Sequence, residues 1–75
     1  MEELSVVKVV HLLTEDRHFD GSDRVMRPPQ VGDTGTIVHV NAPGKSYIVE
    51  SVDHDGYTIW LADFDEAELE LVEEV

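Results

Sequence analysis

Two glycines flank an acidic residue in the segment QVGDTGTIVHV, residues 30–40, and this spacing raises the question of phosphate binding. A Walker-type loop has the pattern G-x-x-x-x-G-K-S/T, whereas Gly32 and Gly35 are two residues closer and no lysine follows them. A dinucleotide fingerprint runs into a helix, but here β-branched residues follow, and Asp33 would repel a phosphate. The segment therefore predicts a turn that leads into a strand, with the glycines supplying special backbone angles.

The histidines and the segment DHDG at 53–56 are the candidates for metal binding. The four histidines are spread along the chain without H-x-x-x-H spacing: His11, His18, His39 and His54. Strand pairing could bring His11 and His39 together, and the sequence leaves that open. DHDG matches the start of a calcium loop, but an EF-hand needs a glutamate six residues after its glycine, where Ala62 stands here. We expect a hairpin turn at 53–56 and no metal or other cofactor.

No combination of nucleophile and base stands out. The chain has no cysteine, which excludes thiolate nucleophiles, disulfides and zinc–thiolate sites. None of the four serines lies in a G-x-S-x-G elbow. A chain of 75 residues also leaves little room for a deep substrate pocket of roughly 300 Å³ or more. We therefore expect that the chain is not an enzyme.

The charge balance bears on the partners. Seventeen acids against five bases give a formal net charge of −12, which would repel nucleic acid over most of the surface. The acidity either keeps a small protein in solution or steers it to a basic partner, and both interpretations stay open. No apolar run approaches the roughly 18 residues of a membrane span, and the acidic start MEEL lacks the basic residues of a signal peptide. We expect a cytoplasmic protein without membrane contact.

Residues 14–33 are predicted to form a long, polar, irregular loop, because turn formers and two consecutive prolines interrupt any ladder there. Such loops are often functional. Three of the five bases lie in it, among apolar residues, and Arg, Met and aromatic side chains are enriched in interface cores. Either the loop packs on its own domain with its arginines paired to internal acids, or it docks on a partner. The candidate partner-binding residues of the loop are Arg17, Phe19, Arg24, Met26 and Arg27.

The last thirteen residues hold seven of the seventeen acids. Such a run is either a solvated face or a negative stripe that a basic partner recognises, and it could also mimic nucleic acid phosphates. Asp63, Asp65 and Glu66 are the candidate partner-binding residues of this segment.

Five short strands are predicted within a single domain spanning residues 1–75, because β-branched and alternating apolar residues recur between turn signals. They cover residues 5–13, 34–40, 46–52, 57–63 and 69–72. Residues 64–68 are expected to form one helical or 3-10 turn, and residues 73–75 to fray. Trp60 alternates with its neighbours in the fourth strand, so it is either in the core or an exposed anchor. The pattern is all-β and suits a small, strongly bent SH3-like barrel, whose closure would remove open edges.

A family resemblance supports this fold. The segment VGDTGTIV, residues 31–38, is similar to the turn and strand of KOW-type and other SH3-like barrels. Together with VVHLL and the segment from Tyr47 to Val72, it resembles a small bacterial family of uncharacterised SH3-like proteins, over roughly residues 5–72. That family shares a Val-Gly-x-x-Gly-Thr-Ile-Val segment, a Tyr-x-Val-Glu strand, an Asp-x-x-Gly turn and a closing Leu-Glu-x-Val. The resemblance implies no catalytic residues, and KOW relatives often bind RNA or the transcription and translation machinery.

Two functional hypotheses follow. The first is a non-enzymatic acidic protein-binding module that docks through the long loop and the neighbouring acidic surface. It could act as an immunity or antitoxin-like inhibitor of a basic toxin, or as an accessory subunit of a larger complex. The alternative is a KOW-like RNA- or ribosome-associated protein. Self-association of the chain is left open.

Overall fold

The computed structural model describes residues 1–75 and contains five β-strands and one 3-10 turn. The strands are β1 (Val6–Val9), β2 (Thr34–Ala42), β3 (Ser46–Val52), β4 (Thr58–Asp65) and β5 (Leu69–Glu73). The 3-10 turn, η1, comprises Glu66–Glu68 and directly precedes β5. The predicted all-β class, with five strands and a single short turn before the last, is confirmed. No helix is long and apolar enough to cross a membrane.

All five strands lie in one antiparallel sheet with the order β4-β3-β2-β1-β5. Two consecutive hairpins connect β2 to β3 and β3 to β4. Gly44 and Gly56 take positive φ angles of 72° and 86° in the two connecting turns. β1 then pairs with β2 on one side and with β5 on the other. Since β4 and β5 are the two ends of this ladder, closure of the sheet into a barrel stays a prediction.

The core lies on one face of the sheet, and alternate side chains of β3 and β4 form most of it. Trp60 is 0% exposed, and its ring centroid lies 5.3 Å from that of Phe64. This decides between the two alternatives for Trp60, which is a core residue and not an exposed anchor. The apolar core comprises Val7, Val9, Ile37, Tyr47, Val49, Trp60, Ala62, Phe64 and Leu69.

β2 departs from the strict alternation of its sequence. Ile37 pairs with Val49, and the next pair along the strand joins His39 to Ile48, so that Val38 is an additional residue in a bulge. Ile37 is fully buried, whereas Val38 and His39 are both exposed. Strict alternation over 34–40 would put His39 on the same face as Ile37, but the bulge shifts the register between them, and that expectation is wrong.

β1 is shorter than the predicted strand at 5–13. After Val9 the backbone leaves β2, and the N–H groups of Val10 and His11 both donate to the carbonyl oxygen of Glu68, at 2.8 and 3.3 Å. Residues 10–13 thus lie alongside η1 and not alongside β2. At the other end of the chain, β5 includes Glu73, which pairs with Val6, so the strand reaches one residue into the segment expected to fray.

The two glycines of QVGDTGTIVHV have different structural roles. Gly32 takes a φ of 99° in the turn before β2, and its N–H donates to the carbonyl oxygen of Val9 at 2.8 Å. Gly35 lies where β2 packs closely on β3. A Cβ atom built there would lie 2.7 Å from the carbonyl oxygen of Glu50 and 2.8 Å from Cγ1 of Val49. The segment is a turn that leads into a strand, as predicted.

Part of the long loop lies along the outer edge of β4. Asp20 and Leu61 exchange two backbone hydrogen bonds of 3.0 and 2.8 Å. The N–H groups of Ser22 and Arg27 then donate to carbonyl oxygens of β4, at 2.8 and 3.2 Å. The loop thereby covers this end of the sheet, whereas β5 has no second neighbour at the other end.

Candidate functional site

The loop brings Arg17 onto the turn η1, where it forms an almost fully buried ion pair with Glu68. The side chains of Arg17 and Glu68 are 10% and 1% exposed, and Nη2 of the guanidinium donates to Oε2 of the carboxylate. The guanidinium carbon also lies 4.3 Å from the centroid of the Phe64 ring. Arg17 is therefore bound to an internal acid on one side and stacked on a core aromatic on the other.

Glu68 is the centre of this cluster. Its Oε2 also accepts from the N–H of Leu13 at 2.8 Å, and its Oε1 accepts from the N–H of Asp65 at 2.9 Å. Burial by itself would raise the pKa of Glu68, but the hydrogen bonds from Arg17, Leu13 and Asp65 outweigh it and hold the pKa below its ordinary value. The carboxylate is thus kept ionised and fixed in position, as expected of a structural group.

The other end of the loop is held by Asp33 in a similar way. Arg27 donates to both carboxylate oxygens of Asp33, at 2.8 and 3.0 Å, and the indole Nε1 of Trp60 donates to Oδ2 at 2.8 Å. The N–H of Gln30 adds a further bond of 3.0 Å. Burial would raise the pKa of Asp33, but these hydrogen bonds together lower it. Arg27 is thereby committed to an internal pair that secures the turn before β2.

An open cleft of about 480 Å³ lies beside the Arg17–Glu68 pair, between the start of the loop and the ends of β2, β3 and β4. Its volume is larger than we expected for so short a chain, because the cleft lies between loop and sheet and not inside the core. Only one of its ten lining residues is hydrophobic. The lining residues are Thr14, Asp16, Arg17, His18, Asn41, Ser46, Asp63, Phe64, Asp65 and Glu68.

The charges of the cleft are unbalanced. Four carboxylates face one guanidinium, and that guanidinium is already paired with Glu68. Asp63 is exposed and accepts a 2.6 Å hydrogen bond from Nδ2 of Asn41, while Asp65 is exposed beside it at the start of η1. Nη1 of Arg17 is buried and has no hydrogen-bond partner. The cleft therefore presents negative charge, whereas the unused donor of Arg17 is closed off from the solvent.

Three of the eight predicted site residues, Arg17, Asp63 and Asp65, meet in this cleft. Glu66 is not among its lining residues. It accepts a 2.9 Å hydrogen bond from the hydroxyl of Tyr47, and burial, followed by this bond, raises the pKa of that hydroxyl. Glu66 therefore has an internal partner in the core.

The remaining loop residues lie along β4, away from the cleft lining. Phe19 is half-buried and packs against the core, while Met26 is exposed. The guanidinium carbon of Arg24 lies 4.7 Å from the centroid of the Tyr57 ring, and no carboxylate pairs with it. Arg24 and Tyr57 thus form an exposed contact, and they and the exposed Met26 are not among the residues that line the acidic cleft.

The histidines lie apart. His18 and His54 are exposed beside Asp20 and Asp55, at 3.6 and 3.5 Å, and His11 and His39 are exposed on β1's extension and on β2. No group of three or more His, Cys, Asp or Glu side chains is arranged to hold a metal ion.

Sequence reasoning did not single out Glu68 or Asp33, the two carboxylates that hold the loop. Glu68 lies three residues after Asp65, as in a capping box, and this local spacing is the one signal that marks it. Two partners of Asp33 are near it in the sequence, Gln30 and Arg27, but its bond to Trp60 spans 27 positions, and no recognised motif marks the set.

Comparison of the chain with protein-family models, with curated proteins and with solved structures finds no match to any of them.

Proposed function

We propose that the chain is a non-enzymatic acidic protein-binding module, and that its cleft receives a cationic side chain of a basic partner protein. The observation that carries this proposal is the unbalanced charge of the cleft. Its single guanidinium is neutralised by Glu68, which leaves Asp16, Asp63 and Asp65 without a basic partner. A lysine or arginine that enters would find carboxylate acceptors at the rim.

Arg17, which lines the cleft, carries a donor for a second contact. Nη1 of Arg17 is a buried donor without an acceptor, which is uncommon in folded proteins. A backbone carbonyl of a partner segment could accept from it after a small movement of the loop. Such a segment would present a positive side chain to the rim and an oxygen to Arg17, which a simple inorganic cation could not do.

The pKa of Glu68, the buried carboxylate of the cleft, also favours a binding role over catalysis. A general acid needs a pKa raised toward neutrality, whereas the pKa of Glu68 is lowered because Arg17 and two amides hold the ionised form. Glu68 positions Arg17 and η1. We therefore assign the cleft to recognition.

The charge of the whole chain supports the same proposal. A formal net charge of −12 would steer a basic partner toward the protein and raise the association rate at low salt. An immunity or antitoxin-like inhibitor and an accessory subunit are two versions of this role. The lack of cysteine agrees with action in a reducing bacterial cytoplasm.

The test uses an acetylated tetralysine peptide as the probe, titrated into the isotope-labelled protein and followed by NMR. We expect shifts at cleft residues, and a dissociation constant about tenfold higher for Asp16→Lys/Asp63→Lys. The matched control, Glu2→Lys/Glu3→Lys, makes the same charge change at exposed residues outside the cleft and should weaken binding much less.

Two outcomes would contradict the proposal. Equal weakening by both double variants would mean that the peptide responds to net charge and not to the cleft. Binding of a twelve-residue oligouridine at about 20 mM salt would instead favour the RNA-associated alternative, because phosphate contacts are strongest at low ionic strength.

A further inference from the structure

The two edges of the sheet differ in their hydrogen bonding. The outer edge of β4 is covered by the long loop through the backbone bonds of Asp20, Ser22 and Arg27. β5 lies at the other edge and pairs only with β1. Its outer side is therefore the one free strand edge of the sheet.

The register identifies the free backbone groups of β5. The N–H of Val10 donates to the carbonyl of Glu68, and Lys8 lies opposite Glu70, so Glu68 and Glu70 direct their backbone groups toward β1. Leu71 is the next residue and directs its N–H and carbonyl away from β1. The N–H of Leu69 is already used within η1, where it donates to the carbonyl of Glu66.

The side chains of this edge are apolar and acidic. Leu71 and Val72 are 41% and 56% exposed, although they lie within a strand of the sheet. Glu70 and Glu73 flank this apolar pair, and Glu74 follows. No basic residue lies in this segment. Exposed apolar positions next to a row of carboxylates are complementary to a strand that carries apolar and basic residues in alternation.

We propose that the outer edge of β5 binds an extended segment of a partner protein by strand addition, and that this segment alternates basic and apolar residues. The backbone of Leu71 would supply the central hydrogen bonds, and Glu70 and Glu73 would select the positive side chains. This surface is separate from the cleft, and the proposal does not depend on the function assigned to the cleft.

A second copy of the chain fits this edge poorly. An antiparallel pairing of two β5 strands would place the outward-facing Leu71 residues opposite one another. It would also bring Glu70, Glu73 and Glu74 of both copies to one edge that has no basic residue. Each chain also carries a net charge of −12, so two copies repel one another.

The probe for this proposal is an acetylated nine-residue peptide of alternating lysine and valine, added to the labelled protein. We expect the amide of Leu71 to exchange its hydrogen about tenfold more slowly at saturating peptide, because it becomes hydrogen-bonded. The same peptide with N-methyl groups on alternate residues cannot complete the ladder. It keeps its charge, and we expect it to bind about tenfold more weakly.

Two variants separate the backbone contribution from the side chain. Leu71→Pro removes the outward N–H, whereas Leu71→Ala retains it. Only the proline variant should therefore bind the N-methylated and the unmethylated peptide with the same affinity. The cleft variant Asp16→Lys/Asp63→Lys should keep that difference, so the two proposals can fail separately. Unchanged exchange at Leu71, or equal binding of both peptides, would overturn strand addition. A dimer of the free protein in sedimentation, lost in Leu71→Pro, would assign the edge to self-association instead.

Discussion

The indole N–H of Trp60 donates a 2.8 Å hydrogen bond to the carboxylate of Asp33, across 27 positions of the sequence. This bond joins the buried centre of β4 to the turn before β2. Arg27 binds the same carboxylate, and Arg17 binds Glu68 at the other end of the loop. The long loop is therefore anchored at both ends by an arginine–carboxylate pair, and Arg24 is the loop arginine without such a pair.

We expect Asp33→Asn to lower the free energy of unfolding by about 1–3 kcal/mol, because the uncharged amide keeps an acceptor for Trp60 but loses the bidentate pair with Arg27. Urea unfolding followed by fluorescence measures the change. The control is Asp55→Asn, at an exposed carboxylate of the β3–β4 turn, which should change stability little. Equal stability of the two variants would show that the Asp33 cluster does not hold the loop.

Glu68→Gln is expected to lower the free energy of unfolding by about 3 kcal/mol, because it leaves the guanidinium of Arg17 nearly buried without its counter-charge. Adding Arg17→Met removes that uncompensated charge and should restore part of the loss. Urea unfolding of both variants at neutral pH is the measurement. A double variant less stable than Glu68→Gln would mean that Arg17 stabilises the fold mainly through its stacking on Phe64.

The contribution of Glu68 should also depend on pH. Its pKa in the folded protein lies below the ordinary value of 4.5, so the ionised form stabilises the fold above that value and the contribution is lost as the pH falls through the lowered pKa. We expect the difference in unfolding free energy between wild type and Glu68→Gln to be constant well above pH 4.5 and to shrink as the pH falls below that value. Taking the difference cancels the general effect of protonating the exposed acids. A difference that does not vary with pH would contradict the assignment.

Gly35→Ala is expected to destabilise the protein by about 1–3 kcal/mol through crowding, since the added methyl group meets the backbone of Glu50 and the side chain of Val49. Thr34→Ala, at the exposed neighbouring position, is the control and should cost less. Thermal unfolding followed by circular dichroism compares the two. A tolerated Gly35→Ala would mean that β2 and β3 can move apart at this point.

Trp60 is the single tryptophan, so its fluorescence reports on the core alone. We expect acrylamide to quench the folded protein several-fold less than the protein in concentrated urea, because Trp60 is fully buried. Quenching of similar strength in both states would contradict the buried position. The same signal then serves the urea experiments on Asp33 and Glu68.

The sequence predicted those elements whose signals are local. β3 spans residues 46–52, as predicted from the alternation of its side chains. The Asp-Gly pair lies in the turn between β3 and β4, where Gly56 has a positive φ as predicted. The bulge at Val38 and the early end of β1 were not predictable in this way. Both depend on which residues lie opposite in the neighbouring strand or turn, and alternation within one segment carries no such information.

The candidate site was predictable in part. The composition of the loop and of the acidic segment pointed to Arg17, Asp63 and Asp65, which lie together in the cleft. The importance of Glu68 and Asp33 was not apparent, because seventeen acids look alike in the sequence, and because Arg17 lies 51 positions from Glu68 and Trp60 lies 27 positions from Asp33. Burial selects these two, and burial follows from the tertiary fold.

The covering of β4 by the loop limits how such a sheet can grow. A strand that adds at β5 finds the far side already closed by the backbone of residues 20–27. Each molecule could then accept one incoming strand, and the addition could not propagate through the protein into a fibril. Association at β5 would give discrete complexes of fixed stoichiometry, whatever the concentration of the two components.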